Sequence, residues 1–137
     1  MMTAKEFLNQ AHRLDQRINS KLDQVASLND LATKATAVIS DMPGSATRNI
    51  TRMEDTIAKI IDLEHEIDKD IDRLVDLKAE IMNTIKAVDH LEYQTLLEKR
   101  YLCFQTWEQI AVDMGYDLRW VYRLHNKALD AVDEIRK

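Results

Sequence analysis

The chain is 137 residues long, with 45% hydrophobic and 31% charged residues, a composition that excludes both a disordered chain and a membrane-embedded one. Two Gly and one Pro leave too few turn residues for a β-sandwich or barrel, and too little glycine for a loop that cradles phosphates. The formal net charge of −5 disfavours nucleic acid as a partner of the chain taken as a whole.

Cys103 stands alone, so the sequence offers neither an intrachain disulfide nor a cysteine-based zinc site. The opening stretch MMTAKEFLNQAHRLDQ is charged and amphipathic, without the continuous apolar core of a signal peptide. No apolar run approaches the ~18 residues that span a bilayer. A cytoplasmic protein without a membrane partner is expected.

The first predicted helix runs from about Thr3 to Ile39. Thr3 and Glu6 form a T-x-x-E capping box. Behind it Ala4, Phe7, Ala11, Leu14, Ile18, Val25, Leu28, Ala32, Ala35 and Ile39 recur at spacings of three and four, interrupted by Lys21. That is one apolar stripe on one long helix. The stretch SDMPGSATRN, residues 40–49, holds the Pro and one Gly among Ser, Asp and Asn, so the helix stops and restarts there. So short a connection makes the flanking helices antiparallel neighbours.

The second helix has a heptad pattern. Ile50, Ile57, Ile71 and Ile85 share one position, broken by Glu64 and Lys78, while Met53, Ile60, Ile67, Leu74, Ile81 and Val88 share the other. These are the a and d positions of a coiled-coil seam. Glu64 and Lys78 either pair across helices to fix the register, or the seam shifts there onto Ile61, Leu63, Val75 and Leu77. Residues 50–90 hold eleven acids against six bases. A helix of about 40 residues is roughly 60 Å long, and two such helices paired only with each other leave wet flanks. Either a dimer whose hairpins pack into a bundle or docking of the hairpin on another protein covers them; a homo-oligomer is expected, with Ile50, Met53, Ile57, Ile60, Ile67, Ile71, Leu74, Ile81 and Ile85 as its contacts. His65, among Asp62, Glu66 and Asp70, invites a metal reading, but the first helix supplies no matching ligand motif, and solvation explains these residues.

Near residue 90 the composition changes, dividing the chain into a helical stalk, 1–89, and a second domain, 90–137. All four Tyr and both Trp lie in the second part, the heptads end, and three short helices follow. Asp89 with Glu92 opens the first, burying Leu91, Leu96, Leu97 and Tyr101. Thr106 with Gln109 forms a capping box that opens the second, and Gly115 ends it, since glycine adopts the left-handed conformation without steric cost. Asp117 caps the last helix, to about Arg136. Cys103, beside Phe104, reads as buried packing. Ile110, Met114, Tyr116, Val121, Leu124, Ala128 and Leu129 are the expected small core, with Trp107 in it or packed on the stalk. Helix, glycine turn and helix describe a helix-turn-helix. Arg119, Trp120, Tyr122, Arg123, Asn126 and Lys127 face outward from its second helix, and Leu118 to Leu129 hold three bases and no acid. Arg suits guanine, Asn adenine, and Lys and Tyr phosphates, so these six residues are the expected contacts to double-stranded DNA.

The stretch YLCFQTWEQIAVDMGYDLRWVYRLHNKAL, residues 101–129, resembles region 4 of sigma-70-type factors. In that family a helix of the form Y-x-x-x-x-T-W/Y-x-E/Q-I-A is followed by a Gly turn and a polar-capped recognition helix. Asp117 stands where the family usually has Ser or Thr, while His125, Ala128 and Leu129 match. The layout as a whole is similar to phage and prophage late transcriptional regulators of the ArpU and RinA kind. The resemblance covers about a third of the chain and implies sequence-specific DNA binding in transcription regulation. It does not imply promoter melting, because no counterpart of sigma region 2 is seen. An alternative from another class is an adaptor or anti-activator whose head meets RNA polymerase or another transcription protein. No Ser-His-Asp, HExxH or P-loop pattern occurs. The expectation is therefore an all-α, non-enzymatic protein without cofactor or metal: a long antiparallel helical hairpin followed by a three-helix DNA-binding domain.

Overall fold

A computed structural model describes residues 2–41 and 46–137 and shows an all-α chain. Its elements are α1 (Ala4–Asp41), α2 (Ala46–Lys86), α3 (Leu91–Leu97), a π-helical turn (Glu98–Leu102), α4 (Trp107–Met114) and α5 (Leu118–Ile135). At the start of α1, Thr3 Oγ1 accepts from the Glu6 amide at 3.2 Å, one half of the expected capping box. Residues 42–45 of the expected break, with the side chains of Ala35 and Ile39, lie outside the described residues.

The described residues form two compact units, Gln16–Asp72 and Met1–Asp15 with Arg73–Lys137. This division differs from a boundary at residue 90. The reason is packing: the first turns of α1 and the last turns of α2 share a core with the aromatic-rich segment. Ala4, Phe7, Leu8 and Ala11 from α1 meet Ile81, Ile85 and Val88, and all of them join Leu96, Leu97, Tyr101, Ile110, Ala111, Val121, Leu124, Ala128 and Val132. Burying a Leu, Ile or Phe side chain in this way contributes about 1.5–3 kcal/mol. Asp133 closes the join by accepting the Ala4 amide at 3.0 Å, and the Arg136 guanidinium lies 3.9 Å from the centre of the Phe7 ring.

Within the unit Gln16–Asp72, Lys21 breaks the apolar stripe for a reason. Its ammonium donates to Asp70 Oδ2 at 2.6 Å, a half-buried ion pair between α1 and α2. Asp70 is thus held by a lysine, and among the described residues no three His, Cys, Asp or Glu side chains converge as metal ligands. Ile18, Ile60 and Ile67 are buried in this unit, whereas Ile50, Ile57 and Ile71 are exposed. The two heptad rows of α2 therefore part company: Ile60 keeps 8% of its surface and Ile57 keeps 44%. Met53 and Leu74 are half-buried. Ile81 and Ile85 are fully enclosed in the other core, so neither is free to meet a second copy.

Lys78 is engaged within the chain. Its ammonium donates to the Leu102 carbonyl at 3.1 Å and lies 4.6 Å over the Phe104 ring. Phe104 has a φ of 56°, a left-handed backbone that is rare for a bulky residue. His12, stacked on the ring at a centroid distance of 4.9 Å, holds it from the other helix. Cys103 precedes it and is exposed, contrary to the expected burial, because the tight turn that closes the π-helical segment points it outward.

Candidate nucleic-acid interface

Local chemistry fixes the segment from Thr106 to Ile135. Thr106 Oγ1 accepts the Gln109 amide at 3.2 Å while Gln109 Oε1 accepts the Thr106 amide at 3.0 Å, a complete capping box at the start of α4. At its end Gly115 has a φ of 72°, and the Tyr116 amide donates back to the Ala111 carbonyl at 3.0 Å. Two residues later Asp117 Oδ1 accepts the Trp120 amide at 2.8 Å and starts α5. The turn between the two helices is thus specified at one end by the left-handed glycine, which lets backbone amides return to the last carbonyls of α4, and at the other by the Asp117 carboxylate, which satisfies a free amide of α5.

α5 buries Val121, Leu124, His125, Ala128 and Val132 and exposes Arg119, Trp120, Tyr122, Arg123, Asn126 and Lys127. At 3.6 residues per turn, Arg119, Arg123 and Asn126 lie within about 40° of the line opposite Val121. Tyr122 is on one flank of this face, with Trp120 and Lys127 on the other. Neither Arg119 nor Arg123 takes part in an ion pair among the described residues, so both guanidinium groups are available. Asp130, two turns beyond Arg123 and also exposed, ends the basic stretch.

Each flank is an aromatic ladder carrying a cation. On one side Lys127 Nζ lies 5.9 Å from the Trp120 ring, and Trp120 meets Tyr116 edge-on at 6.2 Å. Tyr116 is exposed rather than part of the core, because its hydroxyl turns outward to donate to Glu92; that bond, ahead of partial burial and the negative charge itself, raises the phenol pKa. On the other side the Arg100 guanidinium lies 4.4 Å over Trp107, and Trp107 meets Tyr122 edge-on at 5.6 Å. Arg100 also donates to the Gln105 carbonyl at 2.9 Å, which fixes its plane.

Behind this second ladder Tyr101 Oη and His125 Nε2 share one hydrogen at 2.6 Å, and Trp107 stands edge-on to His125 at 4.4 Å. Burial pushes the Tyr101 phenol up to about 12, against the opposing charge of Arg100. Burial, followed by the positive charges of Lys5 and Arg100, lowers His125 to about 4. At neutral pH this pair is an uncharged strut that locks α5 to the π-helical turn.

Comparison of the chain with protein-family models, curated proteins and solved structures found no match.

Two details of α3 differ from the sequence reading. His90, not Asp89, caps it, its Nδ1 accepting the Tyr93 amide at 3.4 Å, and the ring stacks on Tyr93 at 3.7 Å. Leu91 is then the first residue of the helix and keeps 81% of its surface. The structure brings all six sequence-predicted contacts onto exposed parts of α5. It adds Arg100, Trp107 and Tyr116 beside them, for which heptads and caps carried no signal, since the ladders join separate elements.

Proposed function

We propose that the chain is a sequence-specific DNA-binding regulator of transcription that presents α5 to the major groove of double-stranded DNA. The carrying observation is the free, outward-facing set Arg119, Arg123 and Asn126 on a helix whose start and angle are fixed by Asp117 and Gly115. Arginine forks suit guanine and an asparagine amide suits adenine, so the triplet reads base edges while Lys127 and Tyr122 meet the backbone. Residues 90–137 carry seven bases and eight acids, so attraction to phosphate comes from where the bases sit and not from net charge. A weakly charged head gains from avidity, and the exposed Ile50, Ile57 and Ile71 row supports a homodimer that holds two heads at one pair of half-sites. The resemblance to sigma region 4 and to phage and prophage late regulators supports the same reading.

The test is a shift assay with duplex fragments that the full chain selects from a genomic pool. The double variant R119A/R123A is expected to lose retention of the selected fragments. Unchanged binding by that variant refutes the assignment.

One observation favours a second reading. Val112, on the outer face of α4 between Glu108 and Asp113, keeps 80% of its surface. An apolar residue framed by acids suits contact with a basic protein surface, as for an adaptor on RNA polymerase or another transcription protein. Salt-sensitive retention on DNA supports the first reading, and indifference to DNA the second.

A further inference from the structure

The reading face of α5 is bordered by a cation that belongs to neither helix of the α4–turn–α5 segment. Arg100 is on the π-helical turn, half-buried, with its guanidinium carbon 4.4 Å over the Trp107 ring, which in turn meets Tyr122. One hydrogen bond, to the Gln105 carbonyl, is recorded for it among the described residues, and a guanidinium has five N–H donors. Stacking on an indole while leaving N–H groups free is a posture that suits a phosphate.

Lys5 comes from the opposite end of the sequence. The turn of α1 that carries it is pinned at both sides, by the Ala4–Asp133 bond before it and by the His12–Phe104 stack after it. Lys5 is exposed, and no ion pair holds it among the described residues. At about 100° per residue Asp133, which holds the neighbouring Ala4 amide, lies within about 20° of Tyr122 around α5, so Lys5 starts from the flank of α5 that carries the Arg100–Trp107–Tyr122 ladder.

An α-helix with its side chains is about 10–12 Å across and the major groove about 12 Å wide. A helix seated in the groove therefore presents its two flanks to the two sugar–phosphate walls. Lys127 on Trp120 faces one wall. We propose that Arg100, together with Lys5, binds backbone phosphates on the other wall, so that the beginning of the chain takes part in DNA contact although it lies outside the helix-turn-helix. This rests on the DNA-binding reading above and adds to it residues that position the helix without reading bases.

The test uses the full chain and two probes: a duplex of about 30 base pairs recovered by the wild-type protein from a random-sequence pool, and the same duplex scrambled. Affinity is followed against salt for the wild type, R100Q and K5A. Gln at 100 retains an amide donor for the Gln105 carbonyl while removing the charge. Each lost phosphate contact lowers the steepness of log K against log salt by about 0.9, so each variant should flatten the plot by about that amount. The preference for the selected over the scrambled duplex should stay at the wild-type ratio, whereas R119A should erode it. A wild-type salt slope in R100Q overturns the proposal, and so does a changed preference with an unchanged slope. If R100Q melts below the wild type, K5A, exposed and outside the core, decides by the same criterion. Absence of any duplex binding by the wild type overturns the DNA-binding reading itself, a result distinct from either variant's failure.

Discussion

Buried against Trp107, the His125 imidazole has its pKa lowered to about 4, first by loss of water and then by the charges of Lys5 and Arg100. In the unfolded chain the same group titrates near 6.5. Between these values the unfolded state binds a proton that the folded state does not, so stability rises with pH through this window. The contribution is complete above about pH 6.5 and is lost as pH falls toward 4; at 1.36 kcal/mol per pKa unit it amounts to about 3 kcal/mol. Urea unfolding between pH 7.5 and 4 should show the loss. H125Q, which keeps a hydrogen-bonding partner for Tyr101 but does not titrate, should have a flatter profile there; parallel profiles for the two proteins would contradict the assignment. The sequence showed His125 as one match within a motif. It did not show that Tyr101, 24 positions earlier, completes it.

At the scale of elements, what is specified by neighbours in sequence was legible. The Thr106–Gln109 box, the Gly115 turn and the Asp117 cap each depend on residues within a few positions of one another, and each forms as the spacing predicts. Gly115 allows a direct check. A Cβ built there meets nothing within 4 Å, so substitution costs conformational strain without a clash. G115A should destabilise the protein by about 1 kcal/mol, and G115N by less because Asn tolerates the left-handed region better. Equal melting temperatures for G115A and the wild type would show that the turn can be made another way. The heptads of α2 were legible too, but not their division. Periodicity places Ile57 and Ile60 on one broad stripe; only the partner helix determines that Ile60 is covered and Ile57 is not. Leu91, Tyr116 and Cys103 are exposed against expectation for a related reason, since hydrophobicity says what a residue tolerates and a cap, a hydroxyl partner or a tight turn decides where it ends up.

For the whole molecule, the boundary implied by composition at residue 90 is not a boundary of packing. Phe7 and Leu8 lie more than 80 positions before the nearest residues of the aromatic segment that they cover, and no local signal links them. The consequence is testable. A fragment comprising residues 90–137 lacks Ala4, Phe7, Leu8, Ala11, Ile81, Ile85 and Val88, seven of the sixteen buried residues of that core among the described residues. It is expected to show no cooperative thermal transition by circular dichroism, while the full chain does. In the full chain L8A should cost about 2–5 kcal/mol, as for a large-to-small change in a closed core. A fragment that melts cooperatively would restore the composition boundary as the true one.

The two indoles occupy opposite flanks of α5 in different surroundings. Trp120 stands at the edge of the outward face of α5 beside Lys127, and Trp107 leans on an imidazole that stays neutral until the solution is acidic. Indole emission from this chain therefore has two separable origins, one accessible to a dissolved quencher and the other answering to protonation within. Replacing either indole with Phe leaves a single-colour probe, so shielding of the outward face and acid loosening of the core can be followed in one cuvette without an attached dye.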